Sequence, residues 1–429
     1  MSTGLETPHL PGEKDMRSPH CRVRLRIDPP LFTEGAANRH IPALDGIRGL
    51  AILLVLSFHL NLLGSLSTPH PFDAFVSTVF SAGWCGVDLF FVLSGYLITR
   101  ILYQAKGTEQ YFITFYTNRV LRIFPLYYAL LIVTFIVIPH LPTGFIPAEK
   151  LERWTRAETN PLWYWLYLNN FATALAGSWG HGILDVTWSL AIEEQFYLFW
   201  PWVVYALNRE QLLRICLVMF FTAFIVRTAM TLSDMNAIAT YVFTLGRLDV
   251  LAAGAFVALA GESSRGNQGL LPARRILVIT GVAWLGLAIW RGGTFNMDPV
   301  ILTVGLSLVA IHFAALIAVI RTLPPDHWLV KLLSSKLLGA FGKYSFAIYL
   351  VHMPLSAMVR DTLYHPHQFL TLWGSKLPGQ LLFYVGTTLL VFIIAFASWH
   401  LWEKHFLKLK KSFTSSSNPN PSEMAILKT

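Results

Sequence analysis

Long apolar runs separated by short polar stretches dominate this chain. Ten segments are long and apolar enough to cross a bilayer, at roughly 20 residues each. They lie near 44–63, 81–103, 120–139, 187–207, 211–231, 239–260, 276–291, 299–320, 337–358 and 378–402. The pattern predicts an all-α fold, a polytopic membrane helix bundle with about ten transmembrane helices. The stretches between the spans support that number. The N-terminal stretch holds Lys14, Arg17, Arg22, Arg24, Arg26 and Arg39, and 64–80 holds no Lys or Arg. Rich and poor stretches then alternate. Arg100 to Arg122, Arg209 with Arg214, Arg265 to Arg275, Arg321 to Lys343 and Lys404 to Lys411 form the rich set. Basic residues concentrate in cytoplasmic loops, so both termini are expected in the cytoplasm. Nine or eleven spans would break the alternation.

Composition agrees. The 429 residues are 54% hydrophobic and 13% charged, whereas a soluble domain carries about 25% charged residues. A mean hydropathy of +0.51 and 14 tryptophans make lipid the expected solvent. The formal charge of +9 needs no nucleic acid, because the basic residues sit in the short clusters between spans. Cys21, Cys85 and Cys216 are scattered and odd in number, which implies neither a disulfide nor a metal framework. Residues 1–40 are polar, lack a signal-peptide core, and are expected to be a disordered cytoplasmic tail. The membrane domain is expected over 41–408, and 409–429 as a second disordered tail. No period of 20–50 residues repeats.

Ionisable groups within a span are costly and are functional candidates. Arg48 and His59 lie eleven residues apart in the first span, almost three full turns. They therefore share a face and stand about 16 Å apart along the axis. Arg119 and Arg122 share a face at the start of the third span. They suit either a phosphate clamp or plain positive-inside anchoring. In the fourth span Ser189, Glu193 and Tyr197 form a polar stripe, and Glu194 must point elsewhere. Asp88, Arg247 and Asp249 add charge from the second and sixth spans, and several of these charges are expected to pair with one another. Ser345, Tyr349 and His352 form an i, i+4, i+7 stripe on the ninth. The outer stretch 140–186 carries Trp154, Trp163, Tyr164, Trp165, Tyr167 and Trp179. These suit an interfacial aromatic belt or a stacking platform for a sugar ring. The chain contains no P-loop, no His-Glu-x-x-His and no Gly-x-Ser-x-Gly. His40 and Asp45 match a His-x4-Asp spacing, but Pro42 interrupts it at a membrane entry, and the match is coincidental.

Six of these motifs, in order, resemble the acyltransferase-3 family of integral membrane acyltransferases, which includes O-antigen and exopolysaccharide acetylases. They are Arg48-x10-His59 after Leu44-Asp-Gly-Ile-Arg-Gly49, the run Gly86 to Leu97, Arg119-x-x-Arg122, Trp188 to Tyr197, Gly246-Arg-Leu-Asp249, and Tyr344 to His352. The resemblance covers about 40–408. The family's closing Glu-Arg-Pro is here Glu403-Lys404-His405, and only 26 residues follow Glu403, as expected of a stand-alone membrane form.

The resemblance implies an O-acyltransferase of a bacterial inner membrane. It would move an acyl group, acetyl in the nearest case, from acyl-CoA to a sugar hydroxyl of a cell-surface glycan or glycoside, plausibly lipid-linked. Acyl-CoA is the expected donor substrate, with no permanently bound cofactor, no metal and no nucleic-acid partner. His59, Glu193 and Arg48 are the expected catalytic residues, and Arg119, Arg122 and Arg48 the donor site. Asp88, Ser189, Tyr197, Arg247, Asp249, Tyr349 and His352 are expected at the acceptor. His59 would be the general base, with Glu193 orienting it or binding the acceptor. Direct transfer and an acyl-histidine intermediate both remain open. A proton-coupled exporter is the rival class, and a non-catalytic scaffold a third.

Overall fold

The computed structural model of the chain describes residues 41–66, 70–140, 149–150, 154, 160–180, 182–260, 270–410 and 413. Apart from Leu409, Lys410 and Phe413, the two expected tails lie outside these residues, as do Cys21, His40 and Arg265. The principal helices are α1 (Pro42–His59), α2 (Pro71–Ser81), α3 (Cys85–Ala105), α4 (Tyr111–Ile132), α5 (Asn169–Ala176), α6 (Thr187–Ala206), α7 (Arg209–Leu232), α8 (Leu248–Ala260), α9 (Leu270–Arg291), α10 (Leu306–Thr322), α11 (Lys336–Met358) and α12 (Leu377–Ser398), with single helical turns between some of them. Among the described residues the only extended pairing is an isolated bridge between Leu372 and Ser375.

Each of the ten predicted spans carries helix, and seven helical stretches are long and apolar enough to cross a bilayer. The predicted spans at 187–207, 239–260 and 337–358 fall outside that set for a physical reason. α6 carries Glu193 and Glu194, α8 is only 13 residues long, and α11 carries Lys336, Lys343 and His352. Asp249 of α8 and His352 of α11 are fully buried, whereas Lys336 and Lys343 of α11 are exposed. At the other extreme, 6% of the apolar window of α9 and 17% of that of α7 are buried, against 50% for α1. α9 and α7 therefore face lipid, which tolerates apolar side chains all round.

The inner bundle is built on two close pairs, α1 with α11 and α3 with α8, with α3 also against α1, α6 and α10. Small residues let the backbones approach. A Cβ on Gly254 would lie 1.9 Å from the Val92 carbonyl oxygen of α3, and one on Gly342 would lie 1.9 Å from the Asp45 carbonyl oxygen of α1. Neither position can hold a side chain without parting the helices.

One element was not foreseen. Residues 71–80, expected as loop, lie in α2, which starts at Pro71 with the His70 imidazole accepting from the Phe72 amide. Its eleven residues are too few to span, and its amphipathicity is inverted. Phe72, Phe75 and Val79 are exposed while Asp73 and Ser77 are buried. Asp73 accepts from Ser375 Oγ at 2.5 Å and from the Lys376 amide at 2.9 Å. The polar side thus clasps the start of α12 and the apolar side meets lipid.

Candidate active site

His59 ends α1, and its environment fixes its tautomer. His59 Nδ1 is 3.0 Å from the Val55 carbonyl oxygen one turn back. A carbonyl only accepts, so Nδ1 carries the proton and donates. His352 Nδ1 is likewise 2.6 Å from the Tyr349 carbonyl oxygen, which leaves His352 Nε2 as an acceptor. That atom lies 3.3 Å from His59 Nδ1 and shares its proton with Val55. The two rings meet edge-on, with centroids 4.9 Å apart. The remaining nitrogen of neutral His59, Nε2, presents an unprotonated lone pair. His352 is fully buried and backs the His59 ring.

A line of hydroxyls runs from this pair into α6. Tyr349 Oη and Ser189 Oγ are hydrogen-bonded at 2.6 Å, and both reach the Val186 carbonyl, at 2.8 and 3.2 Å. The Tyr349 and His352 rings are 5.6 Å apart. One turn along α6, Glu193 hydrogen-bonds Ser94 and Tyr197, whose hydroxyls also touch each other. Tyr197 lies under the Arg119 guanidinium, 5.4 Å from the ring centroid, and Phe115 flanks the same guanidinium at 5.7 Å. The orienting partners of His59 are thus Val55 and His352, and Glu193 serves the Ser94–Tyr197 end instead.

The opposite end of the bundle is basic. Arg119, Arg122 and Arg48 lie within each other's fields. Arg48 pairs with Asp45 at 3.3 Å, and Glu403, buried and hydrogen-bonded by Ser398 at 3.0 Å, lies near Arg122. Lys410 joins them. Burial and the Arg122 and Arg119 guanidiniums beside it push its ammonium down to about 8. Arg48 and His59 therefore mark the two ends of one polar line that crosses α1, α3, α4, α6 and α11.

Asp88, Arg247 and Asp249 are placed differently from the acceptor-binding role expected of them. Asp88 and Arg247 form an ion pair, as do Arg227 and Asp249 at 2.7 Å, all four side chains fully buried. Ser307 Oγ donates to Asp249 at 3.0 Å, and Arg227 also donates to the Gly246 carbonyl. Arg247 faces the rings of Tyr241, Phe91 and Trp188 at 5.1, 5.6 and 5.8 Å. These charges join α3, α7, α8 and α10 to one another. Asp88 and Arg247 pair with one another as expected, whereas the partner of Asp249 is Arg227.

Three residues of this architecture escaped the sequence reading. Ser94 stood inside the quoted run Gly86 to Leu97 but carried no charge to flag it. Lys410 was used only to orient the chain. Arg227, in the fifth span, answers to the same rule that selected Arg247 and was overlooked. Of the aromatic stretch, Tyr164 and Tyr167 are buried inside the bundle while Trp179 stays exposed, so it is not a belt throughout.

A family model described as an acyltransferase domain matches residues 41–400. The chain belongs to the acyltransferase-3 family. Among curated members, it is 28% identical over 342 residues to the peptidoglycan O-acetyltransferase OatA of Listeria monocytogenes, covering 76% of this chain and 51% of that protein. It is 28% identical over 339 residues to the O-acetyltransferase OatA of Staphylococcus aureus, covering 75% of this chain and 52% of that protein. The chain thus spans about half the length of the curated family members it matches. No solved structure matches it.

Proposed function

We propose that this chain is a membrane-embedded O-acyltransferase of a bacterial inner membrane that moves an acetyl group from acetyl-CoA to a hydroxyl of a cell-envelope glycan. The observation that carries the reading is the His59–His352 pair, which fixes the proton of His59 on Nδ1 and presents Nε2 as a base. The relatives, a peptidoglycan O-acetyltransferase and an O-acetyltransferase, support acetyl as the group and a glycan as the acceptor. The exporter reading gains nothing from them.

In the proposed reaction the donor's phosphates rest on Arg119, Arg122, Arg48 and Lys410. The long pantetheine arm carries the thioester along the polar line toward His59, about 16 Å from Arg48 along α1. His59 Nε2 takes the proton of the acceptor hydroxyl as its oxygen attacks the thioester carbonyl carbon. The carbon–sulfur bond breaks, and the thiolate of CoA recovers the proton from Nε2. The products are the O-acetyl ester and free CoA. Glu193, Ser94 and Tyr197 line the path between the two ends.

The donor is tested by the thermal stability of the detergent-purified chain against a panel of acyl-CoAs. A donor at about 100 times its Kd should stabilise by ~2.7 kcal/mol, and the gain should vanish in the Arg119→Ala, Arg122→Ala double variant. Equal shifts in both proteins would remove the clamp, and no shift in either would remove the donor.

Lys410 gives that binding a pH dependence. Phosphates beside it favour the ammonium, so donor binding takes up a proton above about 8. Affinity is expected to be flat below that value and to fall as pH rises through it, by up to about tenfold per pH unit. Donor Kd at pH 7 and pH 9 checks the slope, and Lys410→Met should flatten it. An affinity that rises with pH would contradict the assignment.

A further inference from the structure

Two buried polar atoms beside this site have no hydrogen-bond partner among the described residues, Glu194 Oε1 and Tyr167 Oη. Tyr167 is 7% exposed, and the two groups lie within each other's electric field. Tyr167 comes from the segment between α4 and α6, which enters from the end of the bundle opposite Arg119. It is held in the left-handed region, with φ of 54°, a conformation that non-glycine residues rarely adopt.

The neighbours enforce that conformation. Gln195 Nε2 donates to the Tyr167 carbonyl at 2.9 Å and to Asn170 Oδ1 at 2.9 Å, while Gln195 Oε1 accepts from Thr244 at 2.7 Å. From α4, Tyr127 donates to the Tyr164 carbonyl at 2.8 Å and Tyr128 to the Trp165 carbonyl at 3.1 Å. The Tyr167 ring is stacked on Tyr127 with centroids 4.3 Å apart. Packing accounts for the ring and leaves its hydroxyl unexplained, because phenylalanine would stack as well.

The chemistry of the two atoms selects what fits between them. A carboxylate oxygen only accepts, whereas a phenol both donates and accepts. A ligand hydroxyl satisfies both, donating to Glu194 and accepting from Tyr167. A phosphate would be repelled by Glu194, and an N–H group would leave the Tyr167 proton without an acceptor. Aromatic rings beside a hydroxyl-binding pair suit a carbohydrate, whose ring has an apolar face.

We infer that Glu194 and Tyr167 bind a non-reacting hydroxyl of the acceptor glycan, on a re-entrant segment that enters from the His59 end. This rests on the acyltransferase reading and adds the place where the acceptor is held. The reacting hydroxyl belongs at His59 Nε2, and the bound one lies on the same sugar residue or its neighbour.

The test uses the full chain in detergent, with soluble peptidoglycan fragments released by muramidase as the probe. Fragment Kd, acetyl transfer from acetyl-CoA and the acetyl-CoA thermal shift are measured for wild type, Tyr167→Phe and Glu194→Gln. Tyr167→Phe keeps the stacked ring, and Glu194→Gln keeps the shape. Fragment binding should weaken about tenfold in the first and more in the second, with the acetyl-CoA shift unchanged in the first and no smaller in the second, whose lost carboxylate lies in the field of Arg119. Wild-type affinity in both variants, or no fragment binding by the wild type, overturns the inference, and an ordered water then occupies the position. Binding that depends on Tyr167 without any acetyl transfer by the wild type keeps the inference and overturns the acyltransferase reading instead.

Discussion

Alanine in place of His59 is expected to lower acetyl transfer by about 10²- to 10⁴-fold, the range of a positioned general base, while the protein remains folded and still binds its donor. The effect is large because nothing else along the polar line can replace the lost group. Glu193 is taken up by Ser94 and Tyr197, and His352 turns its free nitrogen toward His59 rather than outward. The control is the acetyl-CoA thermal shift, which depends on the arginine end and should survive. His352→Gln should be milder, since the Val55 carbonyl still holds the His59 proton at 3.0 Å. It acts through His59, so the pH profile of transfer should move along with the rate. Retained transfer in His59→Ala would end the assigned role. The same variant bears on direct transfer against an acyl-histidine intermediate. Mixing wild type with labelled acetyl-CoA and quenching early should leave label on His59 only if Nε2 is the nucleophile.

The sequence carried much of this site because its parts are local. Eleven residues at helical spacing set Arg48 and His59 on one face, and one-turn spacings set Ser189, Glu193 and Tyr197 in a stripe. What it could not carry is contact between distant segments. The separation of 293 positions from His59 to His352 hides that each ring is the other's neighbour, although each stood in its own motif. Hydropathy failed in a related way at α2. Eleven residues are too few for a span, and the buried side is the polar one, so no periodicity rule marks it as an inward-facing helix. Tyr167 was legible only as one aromatic among several. Its inward placement depends on Gln195, Tyr127 and Tyr128, which lie on other elements. Two of the spans that fall short of simple hydropathy, α6 and α11, carry Glu193 and His352, so a departure from hydropathy is part of the trace of the site.

The largest expected change in stability comes from Asp249, which touches no reacting atom. Asp249→Ala should cost about 3–5 kcal/mol, the cost of leaving a buried charge without its partner. Arg227 is fully buried and sits 2.7 Å from the Asp249 carboxylate. Its other partners are the neutral Gly246 carbonyl and Ser307 hydroxyl. Arg227 and Arg247 with Asp88 and Asp249 form a set of two positive and two negative charges, neutral as a whole. Removing one aspartate leaves an uncompensated guanidinium at the junction of α7, α8 and α10. Asp88 cannot serve both arginines, because it is engaged by Arg247. The decisive measurement is therefore a comparison of single and double variants by denaturation in detergent. Arg227→Met combined with Asp249→Leu removes both charges and fills the space with apolar atoms, so it should lose less stability than Asp249→Ala alone. A double variant that loses the sum of both single losses would mean that the two residues do not act as a pair. Donor binding at the Arg119 end should be intact in every variant that folds, which separates this structural set from the chemistry it surrounds.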